Sequence, residues 1–456
     1  MDIMDPPPSY QVEHHDSIPA PEYSDIPRAS DITLPSDPHE FISSPHCKSF
    51  NWKYKSSHMT IDFGPRIWGL HTPAYGLGGV IQFSVEVNGV ECRADQITAT
   101  LEGMLFSPTT KTVTFLHQEI PQEELSLHRR NSFPQREVKD FSVQIPSAVE
   151  LNGSSTPTPP SFLRYYYGVS CEIKYQVKIR IALPHRPWSG DETKIIPIAY
   201  LPKSRPLQPP VTKIPRPLQE ADGNILCPEF DSSDHTTTVK LSPSFARSDA
   251  CCAEFNDAVF FSLPSPATFT SGQKIPYLFS LVFPSHPHLS ALYAHFAIKV
   301  TLVKQLILHP HQKKKHHTHH SFSKAISRSR SPSPESHPPQ PVKLENKVAC
   351  GRPKYQSEYK EGVYILRGWV DAGEVGKESS WKLGGVASQQ YVLRVSIHPP
   401  DHLLDNLPTF EHECAVEIMT DECDSLQREL HSMGGIPTPA LGLARGLISE
   451  SEVDYL

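Results

Sequence analysis

The sequence has no phosphate-cradling glycine loop, no dinucleotide-binding glycine fingerprint and no serine at a nucleophile elbow. An enzyme is therefore disfavoured, and the chain reads as a non-enzymatic protein without a cofactor. Paired cysteines are missing as well. The nine cysteines are scattered from Cys47 to Cys423 without paired spacings, which suits reduced thiols better than a secreted disulfide framework. Positive charge is not in excess: a formal net charge of -7 gives the fold as a whole no electrostatic pull on nucleic acid, and no nucleic-acid partner is expected. The opening residues, Met1-Asp2-Ile3-Met4-Asp5, offer neither the basic flank nor the apolar stretch of a secretory signal. The most membrane-like run, residues 291–308, is interrupted by His295, Lys299 and Lys304, each of which is costly in lipid. These absences point to a cytoplasmic protein, with any visit to the plasma membrane or endosomes left to transient recruitment.

Long amphipathic helices are missing too, which leaves the all-β class. Glycine, at 23 residues, is outnumbered by proline at 46, so a folded part must alternate with segments unable to bury a core. Residues 1–46 contain Pro6-Pro7-Pro8 and many further prolines without periodic apolar residues, and read as a disordered tail. From Trp52 the pattern changes. Ile81, Phe83, Val85 and Val87 alternate with Gln82, Ser84, Glu86 and Asn88, the signature of a strand dry on one face and wet on the other. Asn88-Gly89 follows, and the resumed alternation at Ile97, Ala99 and Leu101 predicts an antiparallel hairpin across that turn. A Ser/Thr/Pro loop is expected at 152–161. After it, every odd position from Cys171 to Leu183 is apolar while Glu172, Lys174, Gln176, Lys178 and Arg180 take the other face. Extended, that segment spans roughly 40 Å and implies an elongated sandwich.

Prolines 206, 209, 210 and 215 end the first block and open a linker. A second block follows, with strands expected at 259–263, 279–283, 296–303, 364–370, 391–397 and 416–418. The resulting organisation is a disordered tail at 1–46, a β-sandwich at 47–207, a linker at 208–235, a second sandwich at 236–424 and a tail at 425–456. A disordered insertion interrupts the second sandwich at about 309–358. The last segment reads as loosely held, with a short helix predicted over 426–433.

This order of pieces resembles the arrestin family. In the first half the resemblance rests on Tyr75 to Gly89, Ile97 to Gly103, Pro159-Pro160-Ser161-Phe162 and the long strand after Ser170. In the second it rests on Ser262-Leu263-Pro264, Gly272 to Pro276, the 296–303 strand, Ser380-Trp381, Val392 to Pro400 and Leu407-Pro408-Thr409-Phe410. Together these cover roughly residues 50–424. The resemblance is closer to the fungal α-arrestins, the arrestin-related trafficking adaptors. It implies two tandem immunoglobulin-like β-sandwiches and an adaptor that links a WW-domain HECT-type ubiquitin ligase to plasma-membrane transporters or receptors, for ubiquitination and endocytosis. The alternative is an arrestin-fold sorting scaffold that works without a ligase, as in retromer-like protein transport.

The ligase reading depends on Pro7-Pro8-Ser9-Tyr10, a PPxY motif. Two prolines hold the backbone near polyproline II and Tyr10 supplies a ring for the neighbouring pocket, so Pro7, Pro8 and Tyr10 are the candidate WW ligand. The tail after residue 424 has no second copy, which departs from the better-known α-arrestins and counts against multivalent ligase binding. Lys313, Lys314, Lys315, Lys324, Arg328 and Arg330 form a basic loop without a carboxylate. It is either a contact for anionic lipid headgroups at a membrane surface or a solvated loop. Ser329, Ser331 and Ser333 are candidate phosphosites that would cancel its charge. His316, His317, His319 and His320 have no nearby carboxylate to orient them, and no metal site is assigned.

Overall fold

Where apolar and polar residues alternate, the backbone can bury one face and hydrate the other only as a strand, and strands predominate among the described residues. A computed structural model describes residues 50–87, 97–107, 112–122, 138–166, 169–182, 191–209, 236–245, 255–310, 340–432 and 437–447. Of these described residues 59% are strand and 7% helix, an all-β sandwich architecture.

The first block contains β1 (Asn51–Lys55), β2 (Met59–Pro65), β3 (Ala74–Tyr75), β4 (Val80–Val87), β5 (Ile97–Phe106), β6 (Val113–Glu119), β7 (Val138–Gln144), β8 (Ala148–Leu151), β9 (Ser154–Pro157), β10 (Phe162–Tyr166), β11 (Val169–Ile181) and β12 (Glu192–Tyr200). A four-stranded sheet, β1-β2-β4-β7, faces a six-stranded one, β3-β12-β11-β5-β6, with β10 beside β11. Ile81, Phe83, Val85 and Val87 from one sheet meet Ile173, Tyr175, Val177, Ile179 and Ile181 from the other in a single core. The rings of Phe63, Phe83 and Phe141 stack within it at centroid spacings of 4.8 and 5.2 Å. Each such side chain taken from water contributes about 1.5–3 kcal/mol before entropy is counted.

The hairpin expected across Asn88-Gly89 does not form. Strand β4 pairs with β2 and β7, whereas β5 pairs with β6 and along its whole length with β11, in the opposite sheet. The apolar faces of β4 and β5 therefore meet across the core instead of lying side by side; residues 88–96 lie outside the described residues. The hairpin-forming dipeptide is the other Asn-Gly. Asn152 and Gly153, with φ of 56° and 78°, join β8 to β9 inside the stretch read as a loop.

The second block contains β13 (Thr236–Lys240), β14 (Pro243–Ser244), β15 (Val259–Pro264), β16 (Thr268–Thr270), β17 (Lys274–Val282), α1 (Pro287–Ala294), β18 (Ala297–Leu308), β19 (Val342–Gly351), β20 (Pro353–Lys360), β21 (Val363–Asp371), β22 (Trp381–Leu383), β23 (Ala387–His398) and β24 (Thr409–Met419). A five-stranded sheet, β13-β15-β17-β21-β20, packs on a seven-stranded sheet whose main path is β14-β24-β23-β18-β19. Tyr293 of α1 seals one region of the core against Phe255, Phe283 and Phe410, its hydroxyl donating to the Pro408 carbonyl at 3.0 Å. The polar insertion expected to reach residue 358 is shorter than that. Val342–Gly351 pairs with β18 and Pro353–Lys360 with β21. Both are edge strands, and charged residues such as Lys343, Glu345 and Lys347 keep such an edge wet.

Strand β18 joins the two blocks. Its first half contributes Ile298, Val300 and Leu302 to the second core, and Leu306 and Leu308 belong to the first. Trp381, Leu383 and Ala387 extend the first core in the same way, with Trp381 edge-on to Phe162 at 5.1 Å.

Candidate functional site

Two long strands and a loop bring polar residues to the junction of the sandwiches. Lys304 sits midway along β18, where the alternation of that strand fails, and Glu378 lies on the loop before β22. Their Nζ and Oε2 atoms are 2.5 Å apart and both side chains are largely buried, at 14% and 7% exposure. Tyr391 of β23 donates its hydroxyl to the same Oε2 at 2.7 Å and receives the Gln389 amide at 3.1 Å. The Glu378 backbone N–H is held by Ser271 Oγ at 3.1 Å. Burial pushes the Lys304 ammonium below the ordinary lysine range; Glu378 opposes this, and the charges of Arg164 and Lys377 add to the downward push. Burial, followed by the Glu378 charge, raises the Tyr391 phenol well above its usual value. The set ties β18, β23 and the loop before β22 together through Glu378. It is a polar lock, satisfied on every side that the geometry records.

The segment after residue 424 is expected to be loosely held; its described residues, 425–432 and 437–447, lie docked across the same junction. Its first part is helix α2 (Ser425–Ser432), close to the 426–433 prediction, and its last is a short helix, α3 (Leu441–Ala444). Glu429 of α2 accepts from Lys203 Nζ at 3.0 Å and from the Arg205 guanidinium, and Arg205 Nε also reaches Ser425 Oγ at 2.7 Å. Its other carboxylate oxygen takes the Thr438 N–H at 2.7 Å and the Thr438 hydroxyl at 2.5 Å. Burial pushes the Glu429 carboxyl up, but the hydrogen bonds from Thr438 and Lys203 outweigh it and hold the group below the usual carboxylate range.

Backbone then meets backbone. The Ala440 N–H donates to the Leu201 carbonyl at 2.8 Å. A Cβ on Gly76 would stand 2.6 Å from the Thr438 carbonyl oxygen, and one on Gly442 would stand 2.6 Å from Gly376. Only glycine permits such approaches. Ala444, Leu443 and Leu447 close an apolar patch formed by Trp68, Leu70, Ala74, Ala199 and Leu201. The docked segment borders an open cavity of about 670 Å³ whose walls include Trp68, Lys203, Asp421, Arg428 and Gly442.

A second concavity, of about 420 Å³, opens at the far end of β18, where the chain turns from β19 into β20. Lys299, Arg352, Lys354 and His398 line it together with Phe296 and Ser396. Lys354 stands 4.3 Å from the Trp369 ring centroid, and Lys274 is 4.9 Å from the same ring. Among the described residues, the carboxylate that pairs with this set is Glu411, 3.6 Å from His398 Nε2. The corner is a locally cationic surface on a chain of negative net charge.

Pro7, Pro8 and Tyr10, the basic loop Lys313, Lys314, Lys315, Lys324, Arg328 and Arg330, the serines Ser329, Ser331 and Ser333, and the histidines at 316–320 all lie outside the described residues. Among the described residues no group of three His, Cys, Asp or Glu side chains is placed to hold a metal. No helix there is long and apolar enough to cross a membrane, and the run from 291 to 308 is the end of α1 followed by β18. Sequence reasoning missed Lys203, Glu378 and Glu429. The one local signal was the loss of alternation around Lys304. The chain matches no protein-family model and no curated protein.

Proposed function

We propose that the protein is a non-enzymatic, arrestin-like adaptor that brings a WW-domain HECT-type ubiquitin ligase to plasma-membrane transporters or receptors. The observation that carries this reading is the combination of two β-sandwiches sharing a strand with Pro7-Pro8-Ser9-Tyr10 placed ahead of them in sequence. The body supplies a broad rigid surface, and the tetrapeptide supplies a short ligand for an aromatic groove. The cationic corner fits work beside an anionic bilayer, where each lysine or arginine near the surface is worth about 1 kcal/mol.

The test is direct. A peptide of residues 1–20 is titrated into isolated WW domains of HECT-type ligases, beside the same peptide carrying Tyr10→Ala. Loss of at least about tenfold in affinity, roughly 1.4 kcal/mol, is expected. Equal binding by the two peptides removes the ligase from the proposal. In that case, co-purification of the intact protein with sorting-coat subunits selects the ligase-independent scaffold.

A further inference from the structure

We propose that Thr438 is a phosphorylation site, and that its modification releases residues 437–447 from the junction and uncovers the apolar patch beneath them. Thr438 is followed directly by Pro439, the form of hydroxyl that proline-directed kinases accept. Several Ser-Pro and Thr-Pro pairs occur in the chain; what distinguishes this one is its setting. Both its N–H and its hydroxyl are spent on one oxygen of Glu429, so the side chain is the clasp between α2 and the stretch that runs over Gly76.

The local charges decide the sign of the effect. Glu429 and Asp421 are the acidic groups at the clasp; Lys203 pairs with both, and Arg205 pairs with Glu429. Arg428, on the wall of the same cavity, is paired with Glu422, so each of these cations already faces a carboxylate. A phosphate brings close to two further negative charges and removes the hydroxyl proton that Glu429 accepts. With the positive charge already committed, the phosphate and the carboxylate face each other at hydrogen-bond distance in a site where Glu429 is only 9% exposed. Repulsion there is poorly screened, and undocking relieves it.

The chemistry balances with ATP as donor. Thr438 Oγ1 forms a bond to the γ-phosphorus, the β–γ phosphoanhydride bond breaks, ADP leaves and the hydroxyl proton passes to the kinase base. Because Thr438 is half-buried and Pro439 buried, a kinase would capture the segment when it is transiently undocked, and the phosphate would prevent its return. What becomes exposed is the patch of Trp68, Leu70, Ala74 and Leu201.

The experiment uses the full chain, phosphorylated by a proline-directed kinase with ATP and mapped by mass spectrometry, with amide hydrogen exchange read across 437–447. Phosphate on Thr438 should accelerate exchange of the Ala440 amide at least about tenfold, while amides of the β5–β11 ladder stay unchanged. In the E429Q background, which itself exchanges faster, the same phosphate should add little further acceleration over unphosphorylated E429Q, because the carboxylate charge that opposes it is gone and Arg205 is released from it. Absence of phosphate at Thr438 in the intact protein overturns the proposal. So does a phosphoprotein whose 437–447 amides exchange as before, or a phosphate that accelerates E429Q over its own unphosphorylated form as much as it accelerates the native sequence.

Discussion

Strands β11 and β18 are among the longest in the molecule, at 13 and 12 residues, and they spend their lengths differently. In β11 every odd position from Cys171 to Ile181 is buried and its even positions are hydrated, because one face meets the opposite sheet and the other meets water. Strand β18 starts the same way and then stops: Val300, Thr301, Leu302 and Val303 are buried in succession, and Gln305 is buried beyond them. Alternation survives only where a strand has one dry face. Its loss along β18 marks the place where one sandwich lies against the other, and Lys304 sits in that stretch.

The junction is disturbed most severely by removing the partner of Lys304. Glu378→Ala leaves a buried ammonium without its carboxylate and should cost about 3–5 kcal/mol in urea denaturation. Lys304→Met alone should also be costly. The double replacement, Lys304→Met with Glu378→Gln, removes both charges and keeps an acceptor for the Tyr391 hydroxyl, so it should cost less than Lys304→Met alone or Glu378→Gln alone. Additive losses would show that the two charges act independently and that the junction is not a lock.

A subtler break is available through pH at the second polar contact. Folding lowers the Glu429 carboxyl below its unfolded value, so the stabilisation it supplies is complete above about pH 4.3, the ordinary glutamate value, and is lost as pH falls through the lower docked value. Asp421, the other acid facing Lys203, lies in the same site. Hydrogen bonds to a charged group are worth about 1.5–3 kcal/mol. Acidification should therefore speed protease cleavage within 437–447 before the sandwiches themselves unfold. Glu429→Gln should make that cleavage faster at neutral pH and less dependent on acid.

The contrast between the strands also explains what the sequence could disclose. The alternation in β4, β11 and β23 was legible because a period of two needs only neighbours along the chain. The crossing from β4 to β5 was not, since Asn88-Gly89 announces a reversal without naming the partner strand. The paired stretch 342–360 was hidden by its charges, which belong to edge strands as much as to loops. Nothing local joins Lys203 to Glu429 or Ser204 to Thr420, whose hydrogen bonds span more than two hundred residues. Apolar Leu443 and Leu447 looked like tail residues because their partners, Trp68 and Leu70, lie at the opposite end of the described fold.

The smallest effect is expected on the wet face of β11. Lys174 on β11 and Lys304 on β18 are both lysines at polar positions of a long strand, and both have a glutamate within 3 Å. The Lys174 side chain is 51% exposed, however, and its partner Glu172, at 2.9 Å, is 26% exposed, so both reach solvent. Exposed pairs of this kind are worth at most about 1 kcal/mol, and Lys174→Met also retains an apolar stem over the Phe106 ring. That substitution should shift stability by no more than about 0.5 kcal/mol in the same urea experiment that registers Lys304→Met as severe. If the two lysines cost the same, the outer face of β11 is not the wet face that its alternation declares, and the distinction between a sandwich face and a junction loses its physical basis.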